Sequence, residues 1–110
     1  MGFGGAPVAS NKVTAVDFSF APASASIKAG DSVTFLNNGA QAHTATSVSG
    51  GGFDTGLIQP GDSLTLTFDE PGTYTYICTP HPWMIGQIVV TDASGKAPQS
   101  APEDPGAVHQ

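Results

Sequence analysis

Short runs of alternating polar and apolar residues, separated by turn signals, constrain the fold of this chain more than any other feature. In Ser63–Phe68 the apolar residues Leu64, Leu66 and Phe68 occupy every second position, which places their side chains on one face of a β-strand. Thr73–Cys78 repeats this alternation. Because Gly and Pro punctuate the runs and no segment keeps a helical period, the sequence predicts an all-β fold.

About seven to eight short strands fit into the middle of the chain at regular spacing. We expect Val16, Phe18 and Phe20 to form the inward face of an early strand, because they are spaced by two. Ser32–Leu36 is a further strand, and Gly86–Thr91 is the last. This number and spacing of strands favour a single-domain Greek-key β-sandwich or barrel.

The two ends of the chain differ in composition from its middle. Residues 1–11 are rich in Gly, Ala, Ser and Asn, so we expect a flexible N-terminal extension. Residues 93–110 are rich in Pro, acidic and without periodicity, so we expect a disordered tail or linker. Within a chain of 110 residues, residues 12–92 therefore form the one folded domain.

The charge and the chain start limit the partners and the location that the sequence allows. Nine acidic residues against three basic ones give a formal net charge of −6, which argues against nucleic acid and anionic membranes as partners. No stretch reaches the apolar length of a membrane span. The first residues lack the basic and apolar regions of a signal peptide, so we expect neither a signal nor an anchor here. A single cysteine also excludes an intramolecular disulfide.

That cysteine, Cys78, opens a run of seven residues that carries three donors for soft metals. A thiolate at Cys78, an imidazole at His81 and a thioether at Met84 together suit copper better than other common biological metals. Pro80 and Pro82 flank the histidine, fixing backbone angles and removing two amide donors. The run therefore predicts a stiff loop that binds a metal.

A second histidine, His43, makes the set two histidines and a cysteine with a nearby methionine, which are the ligands of a mononuclear electron-transfer copper site. His43 lies in a polar segment, and it is selected because the site needs a second imidazole. The alternatives are a structural thiol at Cys78, a gap-filling Met84 and a solvated His43. His109, in the tail, is expected to be solvated. The acidic residues form no dyad for acid–base catalysis, and there is no Ser-His-Asp arrangement.

The chain resembles the cupredoxins, the small blue copper proteins, from about Val16 to Thr91. The loop Cys78-Thr79-Pro80-His81-Pro82-Trp83-Met84 is most similar to that of the amicyanins, and the chain is also plastocyanin-like. Plastocyanins, pseudoazurins and azurins carry longer ligand loops. Further segments carry the resemblance: Ala29–Val33, Phe35–Asn38, His43, Gln59–Gly61, Phe68, Pro71–Tyr76 and Gly86–Val90.

The resemblance implies the cupredoxin fold and one type 1 copper ion that alternates between Cu²⁺ and Cu⁺. It implies that the equatorial ligands are His43, Cys78 and His81 and that the axial ligand is Met84. Three neighbours are expected to support these ligands: Asn38, Thr44 and Thr79. Many cupredoxins have an asparagine where Thr44 stands. The hydroxyls of Thr44 and Thr79 could link the two ligand loops instead, with the Thr44 amide directed at the Cys78 sulfur.

The resemblance also implies an electron carrier and not an enzyme. One electron would pass between larger redox proteins, such as a cytochrome, a dehydrogenase or an oxidase. Weak, transient docking is expected at an apolar patch of Pro80, Pro82 and Trp83 around the His81 ring. The location that the family implies is the periplasm or another extracytoplasmic compartment.

Two other functions stay open at this point. One is a cupredoxin domain excised from a larger membrane-tethered or multicopper oxidoreductase, which would change the partner but not the copper chemistry. The other, less favoured, is copper storage or delivery. Storage proteins tend to have open sites rich in Met and His, whereas this chain has two methionines, one of them the initiator.

Overall fold

The alternation of apolar and polar residues is realised in two packed β-sheets. The computed structural model describes residues 7–48, 52–92 and 94. These residues form nine strands: β1 Val8–Ala9, β2 Lys12–Val16, β3 Ser19–Ala21, β4 Ser24–Lys28, β5 Ser32–Asn37, β6 Thr46–Ser47, β7 Ser63–Thr67, β8 Gly72–Cys78 and β9 His81–Thr91. The predicted all-β sandwich is confirmed, and two of the nine strands are only two residues long.

Each sheet mixes parallel and antiparallel pairs. One has the order β1-β4-β9-β8-β6 and the other the order β3-β2-β5-β7. Strands β1 and β4, β4 and β9, and β2 and β5 pair in parallel, whereas β8 and β9 form an antiparallel hairpin. The tip of the β8–β9 hairpin lies near the ends of β2 and β5, because His43, which follows β5, contacts both Cys78 at the tip and Asp17, which follows β2.

The core lies between the sheets and follows the predicted alternation. In β8, every second residue from Tyr74 is buried, and Tyr76 and Cys78 complete the row. In β5 the inward row ends in a polar residue, Asn37. The remaining buried apolar core residues come from both sheets and the loops: Val13, Ala15, Phe20, Ala25, Ile27, Val33, Phe35, Ala45, Ile58, Phe68, Met84, Ile88 and Val90.

The segment from Val16 to Phe20 differs from its prediction as one continuous strand. Strand β2 ends at Val16, and the chain reverses through Asp17 and Phe18 into β3, so that Val16 pairs with Ser19. A two-residue hairpin turn interrupts the alternation of a strand. The prediction is therefore right for Phe20, which is buried, and wrong for Phe18, which is 42% exposed on the turn. It is also wrong for Val16, which is only partly buried, because the inward residues of β2 are Val13 and Ala15.

The last strand also begins earlier than predicted. Strand β9 starts at His81 instead of Gly86 and pairs with β8 from its first residue, where Cys78 lies opposite His81. The register shifts between Ile77 and Cys78. The predicted ligand loop is therefore the tip of a hairpin, which ties its conformation to the sheet.

The expectations for the chain ends fall largely outside the described residues. Residues 1–6, 93 and 95–110 are not described. The described part of the predicted N-terminal extension contains β1, whose Val8 pairs with Ala25 of β4. The described residues include no helix with the length and apolarity of a membrane span.

Tyr76 lies at the centre of the aromatic core. Its ring centroid is 4.8 Å from that of Phe20 and 5.6 Å from that of Phe35. Gly86 leaves room for this ring, because a Cβ at that position would collide with it. The Tyr76 hydroxyl is buried and has no hydrogen-bond partner among the described residues, and burial raises the pKa of this phenol above its usual value of 10.0.

We predict that Tyr76→Phe raises the free energy of unfolding at neutral pH by about 1 kcal/mol, because it removes a desolvated, unpaired hydroxyl. Above about pH 10 an unfolded tyrosine ionises while folded Tyr76 keeps its proton, so wild-type stability falls as the pH rises, by about 1.4 kcal/mol per pH unit for this group. The variant should lose less stability there. Denaturant unfolding at neutral and alkaline pH measures both effects.

Tyr74→Phe is the matched control, because the Tyr74 hydroxyl donates a 2.7 Å hydrogen bond to the Glu70 carbonyl. That variant should lose about 1 kcal/mol at neutral pH. Equal destabilisation by the two variants at neutral pH would contradict the prediction for Tyr76.

Candidate metal centre

The tip of the β8–β9 hairpin carries two of the predicted donors. Cys78 is the last residue of β8 and is fully buried, whereas His81 is the first residue of β9 and is partly exposed. The Cys78 Sγ atom and the His81 Nδ1 atom are 3.6 Å apart. Because the two residues pair across the hairpin, the sheet itself sets this separation.

The third donor, His43, comes from the loop after β5. Its backbone exchanges two hydrogen bonds with Ile58, His43 N to Ile58 O at 3.1 Å and Ile58 N to His43 O at 2.7 Å. These bonds fix the loop, and the His43 side chain is 1% exposed. Its Nδ1 atom lies 3.5 Å from Cys78 Sγ.

These separations fit donors that share one metal ion. Nitrogen ligands lie about 2.0 Å and sulfur ligands about 2.3 Å from a first-row metal, so an adjacent pair is about 3.5–3.7 Å apart. The donor atoms of His43, Cys78 and His81 all lie within 4.8 Å of one another. Met84, which is on β9 and 1% exposed, adds a thioether to the same hairpin. One thiolate, two imidazoles and a thioether form a donor set suited to copper.

Thr44 and Thr79 connect the two ligand segments. The Thr44 hydroxyl accepts a 2.9 Å hydrogen bond from the Thr79 amide and lies 2.9 Å from the Thr46 hydroxyl. The Thr44 amide is directed at Cys78 Sγ, 3.5 Å away. The structure therefore brings Thr44 and Thr79 together through a hydroxyl and places an amide donor beside the sulfur.

Asn37, which the sequence reasoning did not select, braces the loop that carries His43. It is fully buried, and its side-chain amide donates to the carbonyls of Gln41 and Ile58, both at 2.7 Å. Its Oδ1 atom accepts a 2.8 Å hydrogen bond from the Gly39 amide. Asn38, the expected supporting residue, is exposed, because the alternation of β5 directs its neighbour inward.

Asp17 is a second residue that the sequence reasoning missed. Its Oδ1 atom is 2.7 Å from His43 Nε2, and its Oδ2 atom accepts a 2.9 Å hydrogen bond from the Ala40 amide. The Ala40 amide and the His43 side chain hold the pKa of the Asp17 carboxyl below its usual value. The only sequence signal that could have identified Asp17 is its residue type, because aspartate is frequent in turns.

The His81 ring lies among exposed apolar side chains. The ring of Phe18 is 4.9 Å and that of Trp83 is 5.4 Å from the His81 ring, centroid to centroid. Trp83 is 63% exposed. We call this surface the docking face and define it by Phe18, Pro80, Pro82, Trp83 and Ile85, all of which are exposed. The docking face therefore adds two residues to the predicted patch, Ile85 and Phe18, of which Phe18 had been expected in the core.

We predict that Thr44→Val lowers the free energy of unfolding of the metal-free protein by about 1 kcal/mol, because the Thr79 amide loses its acceptor while the shape of the side chain is kept. Chemical denaturation measures the change. Thr65→Val is the control, since Thr65 pairs with the Thr34 hydroxyl at 2.9 Å on the exposed surface, and it should change little. Equal losses in the two variants would contradict a bridging role for Thr44.

Residues 7–91 match the family model described as copper binding proteins of the plastocyanin/azurin family. The amicyanin-alpha of Methylorubrum extorquens is 37% identical over 89 residues, which cover 77% of this chain and 75% of that protein. Against an amicyanin of Paracoccus denitrificans and a chloroplastic plastocyanin of Tetradesmus obliquus, the chain spans 52% and 57% of the relative's length.

Two solved structures are similar over most of this chain. An oxidised variant of amicyanin superposes with a TM-score of 0.67 at 34% identity, covering 72% of this chain and 79% of that one. A copper-containing nitrite reductase from Thermus scotoductus superposes with a TM-score of 0.67 at 32% identity. That match covers 80% of this chain but only 23% of the reductase.

Proposed function

The chain belongs to the plastocyanin/azurin family of copper-binding proteins, as its resemblance to cupredoxins implied, and we propose that it is an electron carrier with one type 1 copper ion. The observation that carries this proposal is that the donor atoms of His43, Cys78 and His81 all lie within 4.8 Å of one another. When bound, copper supplies a one-electron Cu²⁺/Cu⁺ couple. The protein would turn over no substrate of its own.

We propose that His43, Cys78 and His81 are the equatorial ligands and that Met84 is the axial one. The separations of 3.5 and 3.6 Å from the Cys78 sulfur to the two histidine nitrogens support the equatorial set. The burial of Cys78 and Met84 keeps water from the sulfur ligands. The polarity of the pocket and its hydrogen bonds then tune the site.

The rigidity of the site supports electron transfer over copper release. His43 is fixed by two backbone hydrogen bonds to Ile58, and the Thr44 hydroxyl ties its segment to the hairpin at Thr79. Little therefore needs to move between oxidation states. Storage or delivery is the less favoured function, because Cys78 and Met84 are closed off from solvent.

We propose that electrons enter and leave through His81 at the docking face. His81 is the partly exposed ligand, and the apolar side chains around it form a small surface suited to weak, transient encounters. The partner would be a redox protein such as a cytochrome, a dehydrogenase or an oxidase. With a net charge of −6, the chain is compatible with a basic partner. The proposed location is the periplasm or another extracytoplasmic compartment.

A second candidate is a domain of a larger oxidoreductase. The match to the nitrite reductase, of which this chain covers 23%, favours it, because the same fold there forms part of a longer enzyme chain. In that case His81 would pass its electron to a site on the same polypeptide or assembly. The copper chemistry of this domain would be the same.

We predict that Cu²⁺ added to the purified metal-free protein produces an intense thiolate-to-copper absorption band in the visible range and the EPR signal of a mononuclear site. Cys78→Ala should abolish the band, because the thiolate is its electron donor. His109→Ala is the control and should keep the band, since His109 lies in the tail. Copper binding without the band in the wild type would contradict the electron-transfer proposal.

We predict that Trp83→Ser slows electron self-exchange between reduced and oxidised copies by about tenfold, because it removes apolar area from the docking face. NMR line broadening in mixtures of the two forms measures this rate. Val8→Ser is the control, since Val8 is also exposed but lies on β1, away from His81. Equal rates for the two variants would exclude a docking role for Trp83.

A further inference from the structure

We propose that Asp17 is a positioning residue that presents His43 to the copper ion and biases the site toward Cu²⁺. The inference rests on the proposed function. It goes beyond the proposed ligands by giving a role to a carboxylate on the β2–β3 turn that contacts one of them. The geometry that carries it is the 2.7 Å separation between Asp17 Oδ1 and His43 Nε2.

The contact with Asp17 selects one tautomer of His43. An ionised carboxylate only accepts hydrogen bonds, so His43 Nε2 must carry the proton that bridges to Asp17. The other ring nitrogen, Nδ1, then holds a lone pair, and it is the atom that lies 3.5 Å from Cys78 Sγ. Histidine ligands generally donate their second N–H to an acceptor that fixes the ring in this way. Because His43 is 1% exposed, water does not compete easily for that proton.

Asp17 is itself held in place on three sides. The amides of Ala40 and Gln41 donate to its carboxylate at 2.9 and 3.4 Å. A side chain at Gly39 would collide with the carboxylate, so the loop approaches it closely. The turn that carries Asp17 is closed by the pairing of Val16 with Ser19. The β2–β3 hairpin and the loop after β5 therefore together hold the Asp17 carboxylate in place to accept the hydrogen bond from His43.

The charge of Asp17 adds a second effect to its geometry. A carboxylate on the far nitrogen of a ligand imidazole raises the basicity of that ligand. Its negative charge also stabilises the doubly charged Cu²⁺ more than Cu⁺. Asp17 lies at the surface, with 25% of its side chain exposed, so solvent screens part of this effect. Asp17 should hence lower the reduction potential relative to a neutral residue at the same position.

The first test uses the metal-free protein. Long-range ¹H–¹⁵N NMR at mildly alkaline pH, where an ordinary imidazole is neutral, reports which ring nitrogen of His43 carries the proton. We expect a single tautomer with the proton on Nε2 in the wild type and averaged ring shifts in Asp17→Ala. Asp17→Asn should keep the tautomer, because its amide oxygen can still accept the hydrogen bond. A proton on Nδ1, or averaged shifts in the wild type, would overturn the positioning role.

The second test uses the copper-loaded protein. We expect Asp17→Ala to lower the Cu²⁺ affinity by about 10–100-fold and Asp17→Asn to raise the reduction potential. Each tenfold loss of Cu²⁺ affinity relative to Cu⁺ corresponds to about 59 mV. The control is Asp31→Asn, which removes the same charge about 20 Å away at the other end of β5, where its carboxylate accepts from the Lys28 amide. Equal potentials in Asp17→Asn and Asp31→Asn would overturn the charge bias.

The two tests separate this inference from the proposed function. If wild-type protein takes up Cu²⁺ without a thiolate band, the proposed function fails, whereas the tautomer of His43 in the metal-free protein still decides the role of Asp17. If Asp17→Ala does not fold, the NMR spectrum of the metal-free wild type still tests the positioning role of Asp17. The reduction potential of Asp17→Asn then tests its charge effect.

Discussion

The arrangement at this end of the β-sandwich depends on holding one cysteine sulfur and two imidazoles close together. Cys78 Sγ lies 3.5 and 3.6 Å from the two histidine nitrogens. The donors come from two segments about 35 residues apart in sequence, so neither segment can form the site alone. The β8–β9 hairpin supplies Cys78, His81 and Met84, and the loop after β5 supplies His43. The packing of the two sheets brings these segments together.

Polar side chains at this end of the sandwich serve as braces between the segments. Buried polar groups are costly unless they are hydrogen-bonded, and Asn37 meets that requirement with three hydrogen bonds to loop backbone. Thr44 meets it with the Thr79 amide and a neighbouring hydroxyl. These bonds hold both ligand segments, so the same contacts that satisfy the buried groups also set the geometry of the donors.

The sequence predicted the parts of the fold and site in which one local pattern decides the outcome. The alternation in β8 placed Tyr76 and Cys78 on the buried face, and the spacing of Cys78 and His81 selected two of the donors that the structure brings together. The reversal at Asp17 was missed because Asp-Phe lacks the glycine that marks many two-residue turns. That error hid both contacts of the turn with the histidines. The choice between Asn37 and Asn38 depended on the parity of β5, which the pattern did not extend far enough to fix.

Only part of the site lies on the β8–β9 hairpin, because two of the residues that surround the histidines belong to the β2–β3 turn. Its two residues touch different ligands: Asp17 contacts His43, and the Phe18 ring lies 4.9 Å from that of His81. Transplanting the hairpin into another β-sandwich would carry over three of the proposed ligands but neither His43 nor these two neighbours. The donors of the hairpin are thus portable together, whereas His43 and the properties that the turn confers belong to the host scaffold and would have to be grafted separately.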